Sequence, residues 1–329
     1  MLLTIGYITE KTFGHFISNL KQSSVTYKIL DLSNLSKLNR ISIIEDYNNQ
    51  NLVIELDNEI YDFSKFRSFY TRLFYTDLGN NELNILFSKM ISSIYSFLES
   101  TNKMVVNKPS SGDSNVNKFV HSKTLGEYGF KSIRSMISTD QYRVSEIIPP
   151  DSSWITKGCS SIKTKAALID HYIFSRLIRL PIAPALFQPR IIGDNVRIHF
   201  VGNEYFAERI ISKRLDYRFS DDEVSPNKYL EIIPPAIIIE KCLRYCRSEN
   251  LFFAGFDFIV TENEEWFILE CNTMPGYESY DKRCQNKIST ALIKILADSS
   301  DNNPFEKENQ NLLPEPFIPS FNRPKVNFL

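Results

Sequence analysis

The sequence predicts a mixed α/β protein of the α+β type, with a small N-terminal α/β domain, a central domain and a C-terminal antiparallel β core with helices. The chain has 329 residues, 43% of them hydrophobic, which is enough for two or three subdomains with cores of their own. Helical and strand-like apolar spacings alternate in its first third, whereas its last third contains paired strand patterns joined by short turns.

Residues 1–109 predict the N-terminal α/β domain. The strand pattern "LLTIGYI", the helical pattern "TFGHFISNLKQ" and the strand pattern "TYKILDL" indicate a βαβ unit. A polar break at Asp57–Asn58 divides "LVIELDNEIYDF" into a hairpin. The strand "FRSFYTRLFY", the helix "ELNILFSKMISSIYSFLES" and the strand "KMVVN" complete this domain.

Residues 110–190 predict the central domain. The small polar residues of "PSSGDSN" favour a loop and a helix start, and the helix "VNKFVHSKTLGEYGF" follows. Next come the strand "SIRSMIS", the segment "TDQYRVSEII" with a helix cap at Thr139 or Asp140, and the strand "SWITKG". We expect a helix over "TKAALIDHYIFSRLI", before the strand "LFQPRII".

Residues 191–299 predict the C-terminal core, and residues 300–329 predict a tail, rich in Pro and Asn, that is extended or partly disordered. Gly202–Asn203 favours a tight hairpin between the strands "VRIHFVG" and "YFAERIIS". The helix "AIIIEKCLRYCRSE" precedes the strands "LFFAGFDFIV" and "EEWFILECN", and "KISTALIKILA" predicts the last helix.

The composition excludes several classes of function. A net charge of −1 and a pI near 6.5 give no electrostatic footprint for nucleic acid or an anionic membrane. The five cysteines include no CxxC pair, which indicates a reduced protein without a structural zinc site. The N-terminus has the pattern of a strand, and no apolar run approaches the ~18 residues of a membrane span. We therefore expect a cytoplasmic enzyme with neither nucleic acid nor membrane as a partner.

The segment "GFDFIVTENEEWFILECN" predicts a hairpin that gathers three oxygen-bearing side chains. A two-residue turn at Asn263–Glu264 would pair Asp257 with Glu270, Ile259 with Ile268, and Thr261 with Trp266. Strand alternation puts Asn272 on the same face as Glu270 and puts Cys271 on the other face. Two carboxylates at this separation repel each other unless a positive group lies between them.

Two kinds of positive group fit these carboxylates. A Lys or Arg partner for Asp257 or Glu270 accounts for them as well as a metal ion does. The amide of Asn272 lies on the same face, which carries no histidine or thiolate, and this combination favours Mg²⁺ with oxygen ligands.

The motifs G-x-D at Gly255–Asp257 and E-x-N-x-x-P-G at Glu270–Gly276 resemble the signature of the ATP-grasp superfamily. The resemblance extends from the first strand to the helix that ends near residue 297. It implies the ATP-grasp fold, with the central domain as a lid, and it implies ATP and two Mg²⁺ ions as cofactors. In this family the residues that correspond to Asp257, Glu270 and Asn272 are the metal ligands.

The resemblance also implies roles for other residues. Lys118 and Lys157 would contact the phosphates, and Ser160 and Ser161 would cover them. The backbone of Gln188, Pro189, Arg190 and Ile191 would bind adenine. Arg197 and Arg218 would make catalytic contacts to the acyl phosphate. For the lysines and arginines, the alternative is an exposed or ion-paired side chain.

The overall pattern is similar to the graspetide or microviridin-type ligases, which install side-chain ester and amide cross-links in ribosomal peptides. "FRSFYTRLFY" resembles their Y-x-R strand, whereas "FSDDEVSP" lacks the Asn and glycines of ribosomal-protein glutamate ligases. The resemblance therefore implies an ADP-forming carboxylate–amine or carboxylate–alcohol ligase, with ATP and a peptide or amino acid as partners. A small-molecule ligase and a non-catalytic ATP-binding regulatory protein are the alternatives, and a homodimer is left open.

Several conspicuous residues receive no chemical role from the sequence. His121, His171 and His199 are expected to be ordinary surface or half-buried residues, since they lie in apolar helix or strand patterns. Tyr277 and Tyr280 could contact the substrate or anchor the core. Arg72 and Arg218 could each form a structural ion pair.

Overall fold

Four β-sheets organise the part of the chain that the structure describes. This structure is a computed structural model, and it describes residues 1–46, 48–111, 117–159, 166–212, 214–215 and 226–298. Ser160, Ser161, Arg218 and the tail from residue 300 lie outside the described residues.

The N-terminal domain contains a parallel sheet and a small antiparallel sheet. The parallel strands are β1 (Leu2–Gly6), β2 (Tyr27–Asp31), β6 (Ser68–Thr71) and β7 (Met104–Val106), in the order β2-β1-β6-β7. The antiparallel strands are β3 (Ile41–Asp46), β4 (Asn51–Leu56) and β5 (Glu59–Asp62). The helices are α1 (Lys11–Leu20) and α2 (Asn81–Ser100). The predicted βαβ unit is present, because β1 and β2 are parallel and α1 connects them.

The central sheet is antiparallel and has the order β11-β10-β12-β9. Its strands are β9 (Met136–Ser138), β10 (Trp154–Gly158), β11 (Ala167–Leu168) and β12 (Ala185–Pro189). The helices α4 (Gln141–Ile147) and α5 (His171–Ser175) belong to the same region, and Val144, Ile148, Ile169 and Phe187 form its buried core.

The helix predicted from Thr164 is wrong over its N-terminal part. Ala167 and Leu168 pair with β10 as a strand, and the backbone N–H of Ile169 donates to the Trp154 carbonyl. The helix begins only after Asp170, whose carboxylate accepts a hydrogen bond from the Ile173 backbone at 2.8 Å. An aspartate in this role is an N-cap, and it marks where a helix starts.

The C-terminal core is built on a six-stranded sheet with the order β15-β14-β13-β16-β17-β8. The strands are β8 (Lys131–Ser132), β13 (Asp194–Val201), β14 (Glu204–Ile211), β15 (Lys228–Glu231), β16 (Phe253–Val260) and β17 (Trp266–Asn272). The helices around it are α3 (Lys118–Glu127), α6 (Ala236–Ser248), α7 (Glu278–Arg283) and α8 (Lys287–Ala297). Strand β8 therefore adds to the core sheet, although it precedes the central sheet in the chain.

The two faces of the six-stranded sheet differ in chemistry. On one face, fully buried Phe200, Phe256 and Phe258 pack with Tyr245 of α6 and with Phe130. The opposite face carries charged and polar side chains on the same strands, since successive residues of a strand alternate between faces. The apolar face holds the sheet in place, and the polar face is available for chemistry.

A buried carboxylate joins the N-terminal domain to the core. Asp281 is fully buried and accepts hydrogen bonds from the Ile288 backbone at 2.7 Å and from the Ser289 hydroxyl at 2.5 Å. Asp281 also contacts the N-terminal domain, because Nε2 of His15 on α1 lies 2.8 Å from Asp281 Oδ2. Helices α1, α7 and α8 are therefore fixed to one another.

Phe256→Ala should lower the free energy of unfolding by about 3–5 kcal/mol, because it removes a fully buried ring from the apolar face. Tyr142→Ala is the control, since this side chain is 75% exposed and its loss should change stability by less than about 0.5 kcal/mol. Urea unfolding measures both values. Equal effects of the two substitutions would contradict this assignment of the core.

Candidate active site

A row of charged side chains crosses four neighbouring strands on the polar face of the core sheet. Glu208 of β14 pairs with Arg197 of β13, Arg197 pairs with Asp257 of β16, and Asp257 pairs with Glu270 of β17. Side chains of directly paired residues point to the same side of a sheet. The register therefore places one positive and three negative groups side by side.

Direct contacts join the three oxygen-bearing residues at one end of this row. The Asn272 amide nitrogen donates to Asp257 Oδ2 at 3.2 Å and to Glu270 Oε1 at 3.0 Å. The predicted pairing of Asp257 with Glu270 is confirmed, and Asn272 lies on their face. Cys271 is fully buried on the opposite face, as strand alternation predicts.

The other two predicted pairs in this hairpin are wrong. Ile268 pairs with Phe258, and Trp266 pairs with Val260. The turn has three central residues, with Glu264 in the left-handed region at φ 55°, and this shifts the register by one. An irregularity between Asp257 and Phe258 shifts it back. The two shifts cancel, so the site pair is the predicted one.

Arg197 is the immediate cationic partner of Asp257. Its Nη1 lies 2.5 Å from Asp257 Oδ2, and the arginine side chain is only 5% exposed. The ion pair that the sequence left open as an alternative is therefore present for Asp257. A carboxylate has about four lone-pair sites, so one arginine does not exhaust its capacity to accept.

The donor set suits a hard cation. Two carboxylates and an amide lie in direct contact, and all three residues are half-buried. A half-turn of the Asn272 amide would present its oxygen in place of the nitrogen. Across the described residues no cluster of three or more His, Cys, Asp or Glu has the geometry of a metal site. Few protein oxygens, completed by phosphate oxygens, are what Mg²⁺ takes in nucleotide sites.

The ring of His199 contacts the side chain of Arg197 and helps to hold it in place. The Arg197 Nε donates to His199 Nε2 at 3.2 Å, and the His199 ring lies against Tyr280 and Phe253. Burial and the charge of Arg197 lower the pKa of His199 well below its usual range. Its ring is therefore a neutral acceptor, and the expectation of a surface or half-buried histidine is wrong, since it is 1% exposed.

Residues of the N-terminal domain hold the turn that follows Asn272. The Arg72 guanidinium donates to the Pro275 carbonyl at 2.8 Å and to Glu10 at 3.0 Å, so it forms the structural ion pair that the sequence allowed. The Asn107 amide donates to the Thr273 carbonyl at 2.6 Å. Burial raises the pKa of Glu10, but Arg72 and backbone N–H groups outweigh it and lower this pKa.

The two predicted phosphate lysines lie on different elements, α3 and β10. Lys118 is the exposed first residue of α3, just after the N-cap Asn117. Lys157 lies near the end of β10, opposite Leu186. Burial raises the pKa of the Cys159 thiol, and Lys118 opposes this shift, so the Lys118 ammonium lies near the end of β10.

The predicted adenine segment connects the central sheet to the core sheet. Gln188 and Pro189 end β12, and Arg190 and Ile191 lie in the short connection before β13. The Gln188 amide donates to the Ser135 hydroxyl at 2.8 Å, and the Arg190 backbone donates to the Ser153 carbonyl at 2.8 Å. This segment therefore connects the central sheet to the core sheet.

Known structures share this architecture over almost their whole length, although no family model and no curated protein matches the sequence. Macrocyclase MdnC from Microcystis aeruginosa MRC, bound with precursor peptide MdnA, is 16% identical with a TM-score of 0.74, covering 90% of this chain and 99% of that one. ATP-grasp ligase PsnB, complexed with minimal precursor, Mg and ADP, is 18% identical with a TM-score of 0.70, covering 89% and 96%. The chain has the ATP-grasp fold. The predicted fold is confirmed.

The same ATP-grasp architecture also matches a ligase for small molecules. The VanG D-Ala:D-Ser ligase from Enterococcus faecalis is 14% identical with a TM-score of 0.62, covering 91% of this chain and 99% of that one. The fold therefore leaves the substrate class open, because one fold can carry several functions. Within the described ranges, no helix has the length and apolar character of a membrane span.

Three features of the site were missed by sequence reasoning. Arg283 of α7 binds Glu208 through two hydrogen bonds of 2.6 and 2.7 Å and lies over the ring of Tyr280. Asn107 holds the turn after β17, and His121 contacts the backbone of β17 directly. Each is distant from its partner in the sequence, so no local pattern could have indicated it. Tyr277 is fully buried and anchors the core, whereas Tyr280 lies against Arg197.

His199→Gln should make the stability less sensitive to acid. The pKa of His199 is lower in the folded chain than the value of about 6.5 in the unfolded chain, so the unfolded state binds the proton first. Stability contributed by the neutral ring is lost as the pH falls below about 6.5, by at most about 1.4 kcal/mol per pH unit.

Urea unfolding between about pH 7.5 and pH 5.5 measures this difference. The slope of stability against pH should be smaller in His199→Gln than in the unsubstituted chain. His171→Gln, at an exposed residue of α5, is the control and should keep the original slope. Equal slopes in all three proteins would contradict the burial of a neutral His199.

Proposed function

We propose that this chain is an ATP-dependent, ADP-forming carboxylate ligase that works through an acyl phosphate and forms ester or amide links on side chains of a ribosomal precursor peptide. The observation that carries the proposal is the contact of Asp257, Glu270 and Asn272 on the polar face of an ATP-grasp core, beside Arg197. A non-catalytic ATP-binding protein has no need of a complete set of oxygen ligands next to a buried arginine.

The nucleotide would be held by groups from both sides of the domain junction. Asp257, Glu270 and Asn272 would hold two Mg²⁺ ions, which neutralise phosphate charge when bound. Lys118 and Lys157 would contact the phosphates, and the backbone from Gln188 to Ile191 would contact adenine. Their support is positional, since Lys118 lies near the end of β10 and the segment joins the two sheets. Ser160 and Ser161 would cover the phosphates.

The chemistry needs positioning and charge neutralisation rather than a protein nucleophile. A substrate carboxylate oxygen attacks the γ-phosphorus, the bond from this phosphorus to ADP breaks, and an acyl phosphate forms. An amine or hydroxyl then attacks the carbonyl carbon, the bond to phosphate breaks, and the nucleophile loses its proton. The net change for the substrate is the loss of one water.

Arg197 is suited to stabilise charge on the acyl phosphate and on the tetrahedral intermediate. Its guanidinium is fixed by Asp257, His199 and the ring of Tyr280, so little rearrangement is required when charge develops. Arg218 would add a second contact. The central domain, whose sheet β11-β10-β12-β9 would form the lid, would exclude the water that hydrolyses an acyl phosphate.

A peptide substrate is supported by the structural neighbours. MdnC is bound with precursor peptide MdnA and PsnB is complexed with precursor peptide PsnA2, and both are covered almost completely by this chain. A small-molecule ligase is the second candidate, because VanG shares the architecture at similar coverage. A cytoplasmic location and a homodimer remain predictions.

Glu270→Gln and Asp257→Asn should each lower ATP turnover by roughly 100-fold or more, because each removes a negative charge that would hold the Mg²⁺ on which phosphate binding depends. Glu262→Gln is the matched control, since this glutamate is exposed in the turn of the same hairpin. ADP release at saturating Mg²⁺ is the measurement. Full turnover in either site variant, with the fold intact by circular dichroism, would contradict the metal assignment.

Incubation with candidate substrates should separate the two classes of ligase. Short peptides rich in Thr, Ser or Lys and in Asp or Glu, encoded beside this reading frame, should lose one water per link in the presence of ATP and Mg²⁺. Mass spectrometry detects this loss. ATP turnover stimulated by free amino acids, with the peptides unchanged, would contradict the peptide proposal and favour the small-molecule ligase.

A further inference from the structure

His121 contacts the backbone of the strand that carries the proposed metal ligands. It lies on α3 and is 4% exposed, so it is a buried residue and not the surface or half-buried residue that the sequence predicts. The Cys271 backbone N–H donates to His121 Nε2 at 2.9 Å. Cys271 stands between Glu270 and Asn272, so this hydrogen bond acts on the peptide that separates the two residues.

The position of this bond follows from the shape of the sheet. Strand β8 pairs with β17 only at Phe267 and Ile268, so the sheet does not extend to Cys271 on that side. A buried backbone N–H without an acceptor is strongly unfavourable. The His121 ring supplies the acceptor at the point where the strand partner ends.

The hydrogen bond determines the state of the ring. A backbone N–H can only donate, so His121 Nε2 must present its lone pair and the ring proton must lie on Nδ1. Burial lowers the pKa of His121, and the nearby Glu270 carboxylate opposes this shift. Burial thus favours the neutral form that the contact requires.

We propose that His121 is a positioning residue that fixes the Cys271 peptide and thereby the side-chain orientations of Glu270 and Asn272 at the proposed metal site. The proposal rests on the proposed function of that site. Because Lys118 lies one helical turn before His121, the same hydrogen bond also ties the phosphate-binding end of α3 to β17. His121 touches neither metal nor nucleotide and acts through the backbone.

Three substitutions separate the acceptor from the volume of the side chain. In His121→Gln the amide oxygen reaches the place of Nε2, so the acceptor is kept. In His121→Asn the oxygen reaches only the place of Nδ1, and in His121→Leu no acceptor remains. Leu125→Ala is the control, since Leu125 is a buried residue of the same helix and its loss weakens packing without removing the bond.

The readouts are the affinity for Mn²⁺ in the presence of ADP, measured by electron paramagnetic resonance, the hydrogen exchange of the Cys271 amide, and the thermal unfolding midpoint. His121→Leu and His121→Asn should weaken Mn²⁺ binding by about 10- to 100-fold and speed exchange at Cys271. His121→Gln should stay within about threefold of the unsubstituted chain on the same scale. Leu125→Ala should lower the unfolding midpoint with unchanged Mn²⁺ affinity.

The outcomes that overturn the proposal are distinct from failure of the proposed function. Unchanged Mn²⁺ affinity in His121→Leu and His121→Asn would show that His121 has a purely structural role, and it would leave the assignment of the metal ligands unaffected. If His121→Leu does not fold, equal affinity in His121→Gln and His121→Asn overturns the proposal. If the unsubstituted chain binds no Mn²⁺ with ADP, the proposed function fails and the role of His121 fails with it.

Discussion

Asp257 and Glu270 are paired on neighbouring strands, and the positions of the other charged side chains of the site follow from this pairing. Two carboxylates side by side on a half-buried sheet face repel each other and lose hydration. Neighbouring side chains reduce this repulsion. Arg197 pairs with Asp257, the Asn272 amide bridges both carboxylates, and Glu208 on the far side of Arg197 holds Arg283. Charges therefore alternate from Arg283 through Glu208 and Arg197 to Asp257, and the row ends with the two neighbouring carboxylates of Asp257 and Glu270.

Packing on the apolar face of the same sheet holds these charged side chains in register. Phe256 and Cys271 alternate with Asp257 and Glu270 along the two strands, and both are fully buried. Burial of these residues fixes the register, since a slip by one residue would exchange the two faces. The polar row is therefore positioned by packing on the opposite side of the sheet.

Local sequence patterns predicted the strands that carry the site. They did not predict the features that depend on contacts between residues far apart in the sequence. The strands around Asp257 and Glu270 were predictable, because apolar alternation and the following Pro–Gly mark them. The turn was not, because a left-handed Glu264 lacks the usual Gly or Asn signal. Nor was the strand at Ala167–Leu168, whose residues also fit a helix until the cap at Asp170 is recognised. His121 was assigned no role, because its partner lies 150 residues away.

A crystal structure with Mg²⁺ and a non-hydrolysable ATP analogue would show whether the acidic end of the row binds Mg²⁺ together with ATP. We expect metal–oxygen distances of about 2.0–2.1 Å to Glu270 and to the Asn272 amide oxygen, with the amide turned by half a rotation. A nucleotide bound with its metal elsewhere, while the Asn272 nitrogen still donates to Asp257 and Glu270, would contradict this expectation.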